Sequence, residues 1–350
     1  MENEKSQVEK LIAGQKRTKR LFLLLLALTF AMALISLFVG QYGMTFSETV
    51  MCILGVTTGE EAENILRILW NIRVPRTLAS LVIGGSLAIA GLTYQGVFRN
   101  NLVSQDILGV STSACVGAAI GIIAGLSAVQ IQVVSFAMGM LNVGLIFLLS
   151  SRIKLEKTLS LILSGILIGG AMSSVLALIK YTASPEKHLR DIVFWTMGDI
   201  SSISLKQLGF IAVPIAVALG VLLTKRWQLN YFSFNDAEAK SIGFDIAKNR
   251  TIFLICATIL VASAVSISGS IGWVGLVIPQ LVRLLIGANS KNTIPLAFLL
   301  GGCFLLLVDL INRMISAAEL PVSIISGILG LPLFIVCWFA NARPRQEWRK

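Results

Sequence analysis

The sequence predicts an all-α polytopic membrane protein of about ten transmembrane helices, and three observations carry that prediction. Of 350 residues, 55% are hydrophobic and only 13% charged, whereas a soluble domain keeps roughly a quarter of its residues charged. The apolar residues come in blocks that reach the roughly 20 residues a helix needs to cross a bilayer. Lys and Arg lie between those blocks and at the chain ends, as a positive-inside topology requires. The net charge of +11 therefore reads as topology rather than as a nucleic-acid surface.

Ten candidate spans follow along the chain, near 21–40, 77–97, 107–125, 131–150, 158–180, 205–223, 251–269, 273–287, 294–312 and 321–340. The first is too long for the core of a signal peptide, and no A-x-A site closes it. It leaves the basic segment 1–20 in the cytoplasm. The eighth span is short and follows a tight connection at Ser270–Gly272. With the N-terminus inside, the cytoplasmic segments hold 20 of the 29 Lys and Arg residues. The opposite orientation would put the excess on the wrong side, so both termini, including the tail 341–350, are cytoplasmic. The transmembrane domain is then 21–340. Gly117, Gly121 and Gly125, and likewise Gly165 and Gly169, recur at the four-residue spacing that lets helices pack closely.

Several chemistries are missing from the sequence. It has no G-x-x-x-x-G-K-[ST] phosphate loop, no G-x-S-x-G elbow and no H-E-x-x-H pair. Five scattered cysteines and the single His188 make neither a disulfide framework nor a zinc site. Asp309 is the only carboxylate inside a predicted span, and Arg313 follows one turn later, where an i,i+4 pair can form. An ion-coupled carrier needs several buried ionisable groups. The chain reads as moving something without supplying the energy, so a partner supplies it. A receptor or scaffold without transport is the other rival.

Three polar segments stand out. Arg73-Val-Pro-Arg76 lies at the outer mouth of the second span against the positive-inside rule, where two guanidinium groups can project outward to carboxylates of another protein. Snorkelling arginines at a helix end are the alternative. The cytoplasmic stretch 235–250 begins with a helix cap at Asn235 or Asp236 and breaks at Gly243. It fits either a knob for a cytoplasmic partner or an ordinary surface helix. Asp309–Pro321 places Arg313 and Glu319 at the outer face.

With Gln95-Gly-Val-Phe-Arg-Asn100, Asp106-Ile-Leu-Gly-Val-Ser111, Gly272-Trp-Val-Gly-Leu-Val-Ile-Pro279 and Ala318-Glu-Leu-Pro321, the chain resembles the FecCD/BtuC family of permeases over about residues 65–340. The resemblance implies the BtuC-like fold of type II ABC importers. It also implies a second permease subunit, two ATPase subunits that use ATP and Mg, and an extracytoplasmic substrate-binding protein. No cofactor is expected on this chain. Iron(III)–siderophore is the first cargo implied, with haem and corrinoids next.

Carried over by position, Arg73, Arg76 and Arg313, with Glu319, would dock the binding protein. The ATPase coupling segment would contain Asn235, Asp236, Ala239, Ser241 and Gly243. Asn100, Leu102 and Thr158 match cytoplasmic gate positions. The fifth and tenth spans would line the pathway, with Ser164, Ser173, Ser174 and Ser326 as candidate polar lining, or else as helix-packing serines. Three positions depart from the family pattern: Asn101 stands where Pro is usual, Gln280 where His is frequent, and Ser323 where Gly is common.

Overall fold

A computed structural model describes residues 2–40, 42–43, 45–56, 59–234, 236–241, 243–315 and 320–342. All regular structure among these residues is helical. In chain order the helices are α1 (Glu2–Phe38), α2 (Phe46–Ile53), α3 (Glu60–Ile68), α4 (Val74–Val97), α5 (Val110–Ile123), α6 (Ala128–Ser150) and α7 (Lys157–Thr182). After these come α8 (Arg190–Met197), α9 (Leu205–Thr224), α10 (Asp236–Ser241), α11 (Ile246–Ser268), α12 (Val274–Ile286), α13 (Ser290–Ile315) and α14 (Val322–Ala342).

Among the described residues, eight helical stretches are long and apolar enough to cross a membrane, and α5 and α12 are shorter apolar helices. Each of the ten spans expected from sequence thus has a helical counterpart. A π-helical turn, Leu69–Arg73, joins α3 to α4, so this span begins earlier than the expected 77.

Capping chemistry marks the helix starts. Thr45 with Glu48 and Ser204 with Gln207 form capping boxes at α2 and α9, and the Gln130 side chain accepts from the Ser127 amide at α6. Each box satisfies amides that have no partner within the helix. On the cytoplasmic side Glu156 caps α7, accepting from the Thr158 and Leu159 amides at 3.0 and 3.1 Å. Asp245 caps α11 by accepting from the Lys248 amide at 3.0 Å.

Helix α4 is the hub. The stretch Glu60–Val97 is 83% buried over its most apolar window, whereas Lys157–Thr182 is 17% buried. The reason is small residues at the crossings. A Cβ on Gly91 would stand 1.9 Å from the Gly275 carbonyl oxygen, and one on Gly84 would stand 2.3 Å from that of Gly301. No side chain fits there, so α12 and α13 lie directly on the α4 backbone. Gly165 and Gly169 of α7 pack in the same way on Leu108 and Gly109. Gly125 differs from the expected packing role: no atom lies within 4 Å of its Cβ direction, and its φ of +65° ends α5 as a left-handed cap.

One cytoplasmic segment departs from expectation. Residues 98–106 do not form a simple cytoplasmic loop. Helix α4 ends at Val97, and the chain then climbs without regular helix to Gly109, whose backbone packs against Gly169. Gly169 lies 12 residues inside α7, which at 1.5 Å per residue is about 18 Å from its cytoplasmic start. Helix α5 therefore begins near the middle of the membrane. Helix α12 also begins part-way down, just after the Gln105 side chain donates to the Ile271 carbonyl at 3.4 Å. Irregular backbone survives at such depth only when protein buries it or it lines a cavity.

Candidate pathway, gate and coupling elements

At the outer face the arginines do not project outward as expected from the sequence. Arg73, Arg76 and Arg313 are 3, 3 and 7% exposed, and Asp309 is 0% exposed. The Arg76 Nε donates to Asp309 Oδ1 at 2.6 Å, and Arg313 pairs with the other carboxylate oxygen. Arg313 also donates to the Ser36 carbonyl at 2.9 Å. Arg73 donates to the carbonyls of Leu37 and Tyr42 at 2.8 and 2.5 Å.

These groups fasten the outer end of α1 to α4 and α13. The physical reason is that α1 ends here and its last carbonyls lack helical N–H donors, which the arginines supply. The Asp309–Arg313 pair forms as its spacing predicted. Glu319 and Asn235 lie outside the described residues. Among the described residues, exposed cations toward the outer face include Arg67, Lys187, Arg190 and Lys206.

Two of the four proposed lining serines are buried. Ser164 and Ser326 are 0% exposed. The Ser326 hydroxyl donates to the Ser323 carbonyl at 3.2 Å, so it packs between helices rather than facing an open path. Ser173 and Ser174 stand exposed on α7, and the Ser174 hydroxyl bonds back to the Gly170 carbonyl at 3.1 Å.

One carboxylate outside the expected site residues lies on the same climbing segment. Asp106 is exposed on the climbing segment, three residues before Gly109, and hydrogen-bonds to Ser111 in the first turn of α5. Its charge complements the positive end of that half-helix.

At the cytoplasmic side, Asn100 Oδ1 accepts from the Leu102 amide at 2.9 Å, shaping a tight turn in which both residues are exposed. Thr158 is half-buried in the first turn of α7 under the Glu156 cap. Burial works against ionisation of Glu156, yet the bonds from Thr158 and Leu159 and the nearby Arg250 charge hold its carboxyl below the usual range.

Two departures from the family pattern touch one another. The Gln280 Nε2 donates to the Asn101 carbonyl at 2.7 Å, so the amide tethers the turn to α12. The third, Ser323, donates to the Ser270 carbonyl at 2.5 Å. Trp273, at φ +71°, is the wedge between α12 and α14: a Cβ on Gly330 would stand 2.7 Å from the Trp273 Cβ.

Above this turn lies a polar cavity of about 280 Å³ whose lining includes Gln95, Arg99, Asn101, Asn230 and Arg283. Arg283 donates to the Gln95 side chain, and Arg99 to the Phe234 carbonyl. An outer cavity of about 340 Å³ is lined in part by Asp191, Asp199, Ser201 and Gln207.

The segment expected to couple to an ATPase forms α10, followed by a turn at Gly243, whose φ of +77° glycine adopts without steric cost. Ala239 is fully buried, so it is part of the floor rather than of any contact face. Its carbonyl accepts from the Phe244 amide at 2.9 Å. Phe244 in turn meets Phe232 edge-on at 5.8 Å, and Phe232 meets Phe253 of α11 at 5.7 Å. Among the described side chains of α10, Glu238 and Ser241 are exposed; that of Asp236 lies outside them.

Comparison with known proteins agrees with this architecture. The FecCD transport family matches residues 25–339. A "Molybdate import system permease protein" of Haemophilus influenzae is 36% identical over 312 residues, covering 89% of this chain and 92% of that protein. A "Probable iron chelatin transport system permease protein" of Helicobacter pylori is 35% identical over 276 residues, covering 79% and 83%. A solved structure described as "An inward-facing conformation of a putative metal-chelate type ABC transporter" superposes with a TM-score of 0.83 at 34% identity, covering 92% of this chain and 99% of that one. With ten apolar helical elements in the same arrangement, the chain belongs to the FecCD transport family and is a multi-pass permease subunit of an ABC importer in the bacterial cytoplasmic membrane.

Proposed function

We propose that the chain carries an iron(III)–siderophore complex inward as one of two permease subunits. A substrate-binding protein feeds it, and two ATPase subunits drive it with ATP and Mg. The observation that carries the cargo assignment is Asp106, an exposed carboxylate near the middle of the membrane. A free oxyanion passing it would meet like charge in a medium of low dielectric, whereas a large chelate spreads its charge and hides the metal. The iron-chelatin relative supports the same choice. Haem and corrinoid complexes belong to the same class of cargo.

In this reading the ATPase pushes on Glu238 and Ser241. The displacement passes through Ala239 and the Phe244–Phe232–Phe253 stack into α11, which lies on α4. The gate turn at Asn100–Leu102 moves with α12 through the Gln280 tether. The binding protein meets the exposed Arg67, Lys187 and Arg190, while the buried arginine–aspartate cluster keeps the outer ends of the helices in place.

A second reading, molybdate, is favoured by the similarity to the Haemophilus protein. Uptake separates the two. Cells lacking their own iron and molybdate importers would express the chain with its candidate ATPase and binding protein, and receive iron-55 siderophore or molybdenum-99 molybdate. ATPase-dependent iron uptake that molybdate does not compete supports the proposal. Molybdate uptake without iron uptake replaces it with the second reading. Uptake that ignores the ATPase and collapses with a proton uncoupler defeats both.

A further inference from the structure

We propose that the cytoplasmic end of α1 and the start of α13 form a binding site for an anionic phospholipid of the inner leaflet. Between them lies a cleft of about 380 Å³. Three cations from three different elements line it: Lys19 of α1, Arg226 of the turn after α9, and Lys291 of α13. Beneath them the lining turns apolar, with Phe22, Leu23 and Leu296. On the other face of α1 a second cleft of similar volume adds Lys16, Arg17 and Arg20 above Leu21, Leu24 and Leu285. Among the described residues no Asp or Glu lines either cleft.

The level of the cleft is that of the headgroups. From Leu23 onward α1 presents leucines to the outside, including Leu23 and Leu24, as a lipid-facing helix does. Trp227, next to Arg226, is also exposed, and Trp is enriched at membrane interfaces.

The charge arrangement calls for an anion. Farther along, α1 is held to α13 by the Thr29–Cys303 contact at 3.3 Å and by the Arg313 bond to the Ser36 carbonyl. At the cytoplasmic end the same two helices bring cations toward each other. A phosphate placed among them removes the repulsion, as in basic pockets between transmembrane helices that hold anionic headgroups. A free phosphate has no use for the apolar floor, whereas an acyl chain does. A positive-inside bias alone accounts for the sign of the residues but not for their convergence on one cleft.

Native mass spectrometry of the full chain, delipidated in detergent, tests the site with phosphatidylglycerol, phosphatidylcholine and inorganic phosphate as probes. The expected result is phosphatidylglycerol adducts that survive activation in preference to phosphatidylcholine and that inorganic phosphate does not displace. Lys19→Gln/Arg226→Gln/Lys291→Gln should weaken the adduct by about fivefold per charge, roughly a hundredfold in all. Lys291→Gln alone should weaken it about fivefold, which keeps the test decisive should the triple variant purify poorly. Arg152→Gln/Lys154→Gln/Lys157→Gln, in a basic loop elsewhere on the cytoplasmic side, should leave it unchanged. Equal binding of the two lipids overturns the proposal, as does displacement by inorganic phosphate. Equal loss in the control variant, or no loss in Lys291→Gln, overturns it too.

Discussion

Replacing Asp309 by Asn tests what the outer arginines are for. The carboxylate is fully buried and receives both Arg76 and Arg313. The amide keeps the shape but removes the charge, leaving two buried guanidinium groups without their counterion. Breaking a buried ion pair in this way costs about 3–5 kcal/mol, because the remaining charge is desolvated and uncompensated.

Asp309→Asn should therefore lower the unfolding free energy by about that amount, read by denaturant titration in mixed micelles. The outer end of α1 should also become open to protease, since Arg313 holds it through the Ser36 carbonyl. Replacing the whole set with apolar residues, Asp309→Leu with Arg76→Met and Arg313→Met, should recover much of the loss. A docking role predicts the reverse pattern: Arg76→Gln would leave stability intact and weaken binding-protein affinity. A change below about 1 kcal/mol in Asp309→Asn would be the size of an exposed pair and would refute the buried-latch account.

Other perturbations follow from the same geometry. Gly91→Ala places a methyl group against the Gly275 backbone and should cost about 1–3 kcal/mol or more by overpacking. Gly170→Ala, with nothing within 4 Å, should be neutral in the same thermal-denaturation assay. Gln280→Ala removes the tether to Asn101. It should destabilise by about 1 kcal/mol and raise substrate-independent ATP hydrolysis in the assembled importer; unchanged hydrolysis would separate the tether from gating.

Because the Glu156 carboxyl is held below its usual range, its cap contributes stability above the unfolded value of about 4.3. That contribution is lost as pH falls through the lower folded value. Hydrogen exchange at Thr158, Leu159 and Ser160 should accelerate only in that acid window, and Glu156→Ala should show the acceleration at neutral pH.

What could be read in the sequence was whatever hydropathy and charge record locally. The long helices α1, α6, α7, α9, α11, α13 and α14 are continuous apolar runs, so their order, orientation and number were legible. The shortness of α12 was legible too, from Ser270–Gly272. The depth of residues 98–109 was not, because a segment with Asn, Ser, Gln and Asp has loop composition wherever it lies; only the contact of Gly109 with Gly169 places it inside.

The outer arginines failed for a related reason. The exception to the positive-inside rule was real, but a sequence does not tell a charge pointing outward from one turned back on carbonyls. Asp309 carried the missing information: a carboxylate buried inside a predicted span has to find cations, and Arg76, 233 residues away in the chain, is one of them. On α7, Ser164 and Ser173 lie on opposite helix faces, and only the fold shows that the first is buried and the second exposed.

The same reasoning joins the two departures at Asn101 and Gln280 into one device. A proline at position 101 would stiffen the turn through its own ring; asparagine leaves the backbone freer. Gln280 restores the restraint from across the helix boundary, by a hydrogen bond that can break and reform. In the proposed reading, the gate turn is therefore held by a hydrogen bond to α12 rather than by the rigidity of a proline ring. Helix α12 is stacked on α4 through Gly275 and Gly91 and wedged to α14 by Trp273. A shift of α12 relative to the turn after α4 would stretch the Gln280–Asn101 bond, so in the proposed reading that bond reports movement of the gate turn.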